Sequence, residues 1–342
     1  MKAAILYGPR DLRLEERRID VSNLKPDEIW VKTEITAFKI GTDRGNYEGA
    51  EQVPSAPDYP RWVGDSNLGV VHGVGSQVSR FQIGDRVLAS QPHVSEYVAK
   101  QTDRVAKIPE NVDSEDAVFA HLYSLSAYCY FKANCRPGEN VAIVGLGVLG
   151  MGAVALGPLF GTRLVAVGNS PIRLKMADRM GAHLSLMYDD TDIEPTLQSF
   201  THGSGIDLVI LTANPWPAFR SSMQIVRSGG RIAVVSILGR GETALDFNPL
   251  SMDPFQMKGV SVIGVEPLGR LPTASAVPAV TMEQRYSWQW LCGQILALMS
   301  TGSLEPKRLI THRLPCTKIA EAYEMALRRE KDMLGVIFQW DT

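Results

Sequence analysis

Cysteine is scarce in this chain: four in 342 residues, at positions 129, 135, 292 and 316, with no C-x-x-C pair. So sparse a set excludes a disulfide scaffold and reads as free thiols in a reducing compartment. An excess of one charge is also missing. Thirty-five Lys and Arg stand against 37 Asp and Glu, a net charge of −2, so no global basic field holds nucleic acid or an anionic membrane. Any anion site has to be built locally. The apolar run Ala3–Tyr7 ends at Gly8-Pro9 and is too short for a secretory signal core, so the expected location is the cytoplasm.

Long apolar runs are nearly absent. The exception, Val141–Phe160, carries no charge and is long enough to cross a bilayer. Its glycines at 145, 147, 150, 152 and 157 instead make it a buried strand running into a helix. The balance of 45% hydrophobic and 21% charged residues is that of a globular protein, and the length exceeds what one core fills. Two domains are expected.

The first hundred residues are β-rich. Ile29–Ile35, Leu68–Gly75 and Phe81–Ala89 are short strand candidates punctuated by Gly and Asp, which suggests an antiparallel, barrel-like domain. Near residue 112 the texture changes. Ser114–Lys132 is predicted as one helix opened by Ser114-Glu115-Asp116. Strands and helices then alternate: Val141–Val144, Leu164–Val167, Pro171–Met180, Leu208–Leu211, Ala218–Arg227, Arg231–Ser236 and Val260–Val265. That rhythm predicts a doubly wound parallel sheet. Trp288–Ser300 and Lys318–Arg329 are amphipathic helices, Gly335–Phe338 is a closing strand, and this tail is expected to return to the first domain.

Val141–Val144 leads into Gly145-Leu146-Gly147-Val148-Leu149-Gly150, a G-x-G-x-x-G loop after an apolar strand. Gly145 serves the tight turn, Gly147 the approach of backbone to a pyrophosphate, and Gly150 the close packing of helix on strand. Val148 and Leu149 open the helix, whose free N–H groups and dipole attract phosphate. The next strand ends in Val167-Gly168-Asn169-Ser170-Pro171-Ile172-Arg173, with no acid before Asp178. An acid there would bind an NAD ribose and repel a 2′-phosphate. Its absence, with Asn169 and Ser170 as donors and Arg173 as an ion-pair partner, points to NADP(H). The alternative is an NAD ribose that lacks its usual partner.

With Gly41-Thr42-Asp43, Tyr59-Pro60 through Gly64, Gly69-Val70-Val71 to Gly75, Gly84-Asp85-Arg86-Val87, the glycine loop, Met180-Gly181-Ala182, Ser228–Arg231 and Leu309–Arg313, the chain resembles the medium-chain dehydrogenase/reductase superfamily over nearly its whole length. The resemblance implies an α/β protein with a GroES-like catalytic domain (1–115 and 285–342), a Rossmann domain (116–284), a small-molecule substrate in the cleft between them, and a homodimer paired through Val260–Val265. Zinc-dependent members carry Cys-Gly-x-Asp, Gly-His-Glu and a third acid or cysteine. Here those slots hold Ile40, Asp65 in Gly64-Asp65-Ser66, and His121. Isoleucine cannot ligate, and the cysteine-rich lobe for structural zinc is missing as well, so the resemblance is to the zinc-free members.

Without a metal, a side chain must manage the proton and the developing charge. Thr42 falls where related enzymes use a hydroxyl relay, and Asp65 with His121 falls where the zinc ligands would converge. Each has a structural alternative: Thr42 as a turn cap, Asp65 as loop filler, His121 as a core histidine. His72 and His312 read as structural, and Trp288 and Trp290 as pocket, oligomer surface or helix core alike. Pro267–Thr281 reads as a lid or a disordered loop. The leading expectation is a zinc-independent NADP(H)-dependent oxidoreductase of a carbonyl/alcohol pair. The others are an enoyl or quinone reductase and an NADPH-binding protein without turnover.

Overall fold

The computed structural model describes residues 1–49, 58–266 and 286–340; Pro267–Thr281 therefore lies outside the described residues. The chain divides into two compact units, Met1–Ser124 with Ala279–Thr342, and Leu125–Pro278.

The first unit is built on β1 (Lys2–Leu6), β2 (Leu12–Glu16), β3 (Glu28–Ala37), α1 (Ile40–Glu48), β4 (Arg61–Trp62), β5 (Asn67–Val74), β6 (Arg86–Ala89), β7 (Glu96–Lys100) and β8 (Val105–Lys107). β3 alternates as a half-buried strand should, with Ile29, Val31, Thr33 and Ile35 inward. It pairs antiparallel with both β5 and β7. Val31, Val71, Val87, Tyr97 and Val105 close one core beneath it. His72, expected in the packing, is exposed on the other face of β5, where its ring lies 5.6 Å from that of Trp30. The pleat, with period two, turns that position outward.

Residues 114–132 form two helices rather than one, α2 (Ser114–Ala117) and α3 (Ala120–Lys132). Asp113, not Ser114, caps α2, its carboxylate accepting the Glu115 N–H at 2.8 Å. Asp116 is pinned by the backbone N–H of Lys307 at 2.8 Å, and Phe119 N–H reaches back to the Asp116 carbonyl in a tighter i−3 bond of 3.1 Å. The break reorients the chain, so that His121 sits in the first turn of a new helix.

The second unit is the predicted parallel sheet: β9 (Asn140–Val144), α4 (Val148–Leu156), β10 (Arg163–Gly168), α5 (Pro171–Arg179), β11 (Leu184–Met187), α6 (Ile193–Phe200), β12 (Ile206–Leu211), α7 (Trp216–Ile225), β13 (Val226–Val234) and β14 (Ser261–Gly264). The strand order β11-β10-β9-β12-β13-β14 is the doubly wound order with its crossover point at β9. The register places Val144 level with Val167 and with Leu211. Three carboxyl ends therefore finish on one line. β9 is buried along its whole length, as a central parallel strand requires. The uncharged run 141–160 thus resolves into β9, α4 and a short 3-10 turn. Among the described residues no helix is long and apolar enough to cross a membrane.

The chain then returns to the first unit with α8 (Trp288–Ser300), β15 (Ile310–Pro315), α9 (Ile319–Leu327) and β16 (Gly335–Gln339). β16 inserts between β15 and β3, parallel to the former and antiparallel to the latter. Phe38, Tyr323, Val336 and Phe338 pack a second core there. The molecule is thus an α/β protein of one GroES-like β-rich unit and one Rossmann unit.

Candidate active site

At the end of β3 the chain turns through Lys39 into α1. Asp43, one turn in, accepts the Lys39 backbone N–H at 2.9 Å, while its own N–H returns to the Lys39 carbonyl at 2.9 Å. This reciprocal pair fixes the helix start. Asp43 is only 2% exposed. Burial lifts its carboxyl to about 7, helped by the Asp65 charge and opposed by Lys39 and by backbone N–H donors at Lys39 and Gly64.

The same turn projects the Lys39 side chain onto the loop between β4 and β5. Its ammonium forms an ion pair with Asp65 Oδ2. His121 Nε2 lies 3.3 Å from the same oxygen, and Trp288 Nε1–H, at the start of α8, donates to His121 Nδ1 at 2.6 Å. Indole is a donor only, so His121 accepts at Nδ1 and carries its ring proton on Nε2, directed at Asp65. The result is a continuous chain, Lys39–Asp65–His121–Trp288, entirely within the first unit. It is anchored in the core at Trp288 (1% exposed) and opens toward solvent at Asp65, whose side chain is 30% exposed. Burial opposes ionisation of Asp65, but the Lys39 ammonium and then His121 outweigh it, and the carboxyl is held well below the usual range. It is a fixed carboxylate.

The structure thus brings Asp65 and His121 together. Thr42 sits half-buried on α1, and none of the hydrogen bonds among the described residues ties it to this chain. Sequence reading singled out neither Lys39 nor the bond made by Trp288. A lysine set between Phe38 and Ile40 was the available signal for the first; the second joins residues 167 positions apart. Nearby, His93 is fully buried with Nδ1 at 2.8 Å from Thr36 Oγ1 and Nε2 without a partner among the described residues. Burial pushes its imidazole down to about 4, so it is neutral across the physiological range.

The donor set does not fit a catalytic zinc, which takes three protein ligands. Ile40 packs against the apolar cluster around Phe38 and Tyr323, and the Ser66 hydroxyl donates to the Val118 carbonyl. Among the described residues no three His, Cys, Asp or Glu side chains gather as a metal site would require.

In the second unit the glycine loop follows β9. Gly145 has φ +101°, and a Cβ there would lie 2.6 Å from the Ala213 nitrogen. A Cβ on Gly150 would meet the Gly145 carbonyl oxygen at 1.9 Å, whereas one on Gly147 would point into open space. Glycine is sterically obligatory at the first two positions, and the third leaves open space of the kind in which a backbone can approach a phosphate group. Thr212, at the end of β12, donates to the Gly145 carbonyl at 2.8 Å and pins the turn. Val148 and Leu149 form the first turn of α4. Beyond β10, Gly168 is buried against Leu146, Asn169 is exposed and Arg173 is half-buried. Ser170 caps the backbone of α5, which begins at Pro171. It is 3% exposed, and its hydroxyl lacks a partner among the described residues.

Residues 25–157 match the family described as alcohol dehydrogenase GroES-like domain, and residues 148–274 the family described as zinc-binding dehydrogenase. Together the two matches cover well over half of the chain. Sorbitol dehydrogenase of Bacillus subtilis is 23% identical over 98% of this chain and 96% of its own. Erythritol/L-threitol dehydrogenase of Mycolicibacterium smegmatis is 22% identical over 95% and 94%. Among solved structures, the alcohol dehydrogenase TADH from Thermus sp. ATN1 superposes with a TM-score of 0.80 at 19% identity, covering all of both chains; it shares the fold.

Proposed function

The chain belongs to the medium-chain dehydrogenase/reductase, alcohol dehydrogenase-like superfamily, and from that premise we propose that it is a zinc-independent, NADP(H)-dependent oxidoreductase of a carbonyl/alcohol pair. The nicotinamide, when bound, supplies or takes up the hydride. The chain's own residues bind, orient and manage one proton. Gly145, Gly147 and Gly150 shape the pyrophosphate cradle, with the N–H groups of Val148 and Leu149 aimed into it. The end of β10 carries no acid, and the orphaned buried hydroxyl of Ser170 supports a 2′-phosphate there, with Asn169 and Arg173 completing its shell.

The observation that carries zinc independence is the Trp288 bond. A metal-ligating histidine normally donates its other ring N–H to an acceptor. His121 has the reverse arrangement, its Nδ1 accepting from a group that can only donate. Asp65 and His121 then serve as a polar wall that orients the substrate oxygen, and Thr42 as a hydroxyl relay one turn along α1. The polyol dehydrogenases among the relatives favour a hydroxylated substrate. The incomplete donor set also favours a second reading, reduction of an enone or quinone, whose conjugation spreads the charge without a metal. A homodimer through β14, the terminal strand of the six-stranded sheet with Val262 39% exposed, accompanies either reading.

The test is calorimetric titration of metal-free protein with NADPH and NADH, zinc content measured on the same sample, then NADPH oxidation with separate panels of ketones, enones and quinones. Tight NADPH binding, no stoichiometric zinc and ketone turnover that drops in Thr42→Ala, Asp65→Asn or His121→Gln support the reading. Preferential NADH binding or one zinc per chain overturns it, and turnover of enones alone selects the second reading.

A further inference from the structure

Resting on the oxidoreductase reading, we propose that the Lys39 ammonium is the resident electrophile of this site. It is held by the Asp65 carboxylate and donates first a hydrogen bond and then a proton to the oxygen of a carbonyl substrate. Three observations converge on it. The ammonium pairs with the same Asp65 oxygen that His121 approaches, so the carboxylate already has its counter-charge. His121 presents a proton rather than a lone pair on its inner face, because Trp288 fills Nδ1. Asp65 itself is held ionised and carries no proton to give. Of the four linked side chains Lys39, Asp65, His121 and Trp288, Lys39 is the cation that also carries transferable protons.

An ammonium has three donors. Asp65 takes one, which leaves two for a substrate oxygen and for water. The side chain is 19% exposed and Asp65 30% exposed, so the group is partly desolvated, which strengthens its field, yet open to solvent on one side. In reduction, hydride arrives at the carbonyl carbon, the C=O π pair moves to oxygen, and that oxygen takes a proton from Lys39 Nζ to give the alcohol. The neutral amine regains its proton from water at the open side. The balance is one hydride from the nicotinamide and one proton from solvent, and oxidation runs the same steps backward. Pairing with Asp65 holds the group in place as an ammonium, and an N–H hydrogen bond to the same carboxylate holds it as the amine.

One measurement on the full-length chain tests this: NADPH oxidation with the ketone panel, read beside the calorimetric affinity for NADPH. Lys39→Met should lose about 100- to 1,000-fold in kcat, with NADPH affinity unchanged within about twofold. Lys39→Arg should stay slow, because a guanidinium keeps its protons. Turnover of Lys39→Met within about threefold of wild type overturns the catalytic role while leaving the oxidoreductase reading intact. A wild-type chain that binds NADPH but reduces no ketone sinks the carbonyl reading, and this role with it.

Discussion

Replacing Asp43 by Asn should make the protein's stability advantage depend on pH in a direction fixed by burial. Asp43 is 2% exposed, and its carboxyl is lifted from 3.8 to about 7 mainly by loss of solvent. A group whose folded value is raised binds its proton more tightly folded than unfolded. Its contribution is fully present below about pH 4 and is lost as pH rises through about 7. At 1.36 kcal/mol for each tenfold change in proton affinity, the gap between 3.8 and about 7 corresponds to roughly 4 kcal/mol at most. Asn keeps an acceptor for the Lys39 N–H and cannot ionise, but its amide hydrogens need partners, a cost of about 1 kcal/mol. The variant should therefore be slightly less stable than wild type at pH 4.5 and gain on it by about 2–4 kcal/mol on reaching pH 8. Urea unfolding followed by tryptophan fluorescence at four pH values measures this directly. A stability difference that stays flat within about 0.5 kcal/mol over that range would refute the reasoning, since Asp43 would then titrate alike in both states.

Asn169→Asp places a negative charge beyond β10, where the 2′-phosphate is proposed to lie. NADPH affinity should fall by about tenfold or more, ~1.4 kcal/mol, while NADH affinity rises, and calorimetry of both cofactors checks it. Trp288→Phe removes the donor to His121 Nδ1. It should cost about 1–3 kcal/mol in stability, and nitrogen NMR of the His121 ring should change from a single Nε2–H tautomer to a mixture. A ring that keeps one tautomer would show that Trp288 does not set it.

The glycine turn after β9 was legible because backbone sterics leave no choice: at Gly145 and Gly150 any side chain collides with main chain. The parallel sheet was equally plain, since buried strands read as unbroken apolar runs. That Ile40 cannot ligate a metal could be read directly, because residue chemistry alone decides it. Harder to see was the Lys39–Asp65 ion pair. Lys39 precedes the motif by one residue and reaches Asp65 only through a long flexible side chain, so nothing in local spacing reveals the pair. The Trp288–His121 bond depends on α8 coming back to the first unit after the whole Rossmann unit has been made. The break between α2 and α3 was hidden too, since residues 114–132 are helix-compatible throughout and the interruption at Val118-Phe119 follows from Asp116 turning to Lys307. His72 misled because an apolar neighbourhood in sequence says nothing about which face of a pleated strand a residue occupies.

The common finishing line of β9, β10 and β12 has a consequence for how this protein can change. Every position proposed to choose between the two coenzymes lies past Val167, at Gly168, the last paired residue of β10, or just beyond it. Asn169 is exposed, and the strand residues behind it are buried. A change at Asn169 can therefore alter coenzyme preference at the rim without touching the buried strands that hold the sheet. Gly168 and Ser170, buried at the same rim, are the positions where the two demands meet.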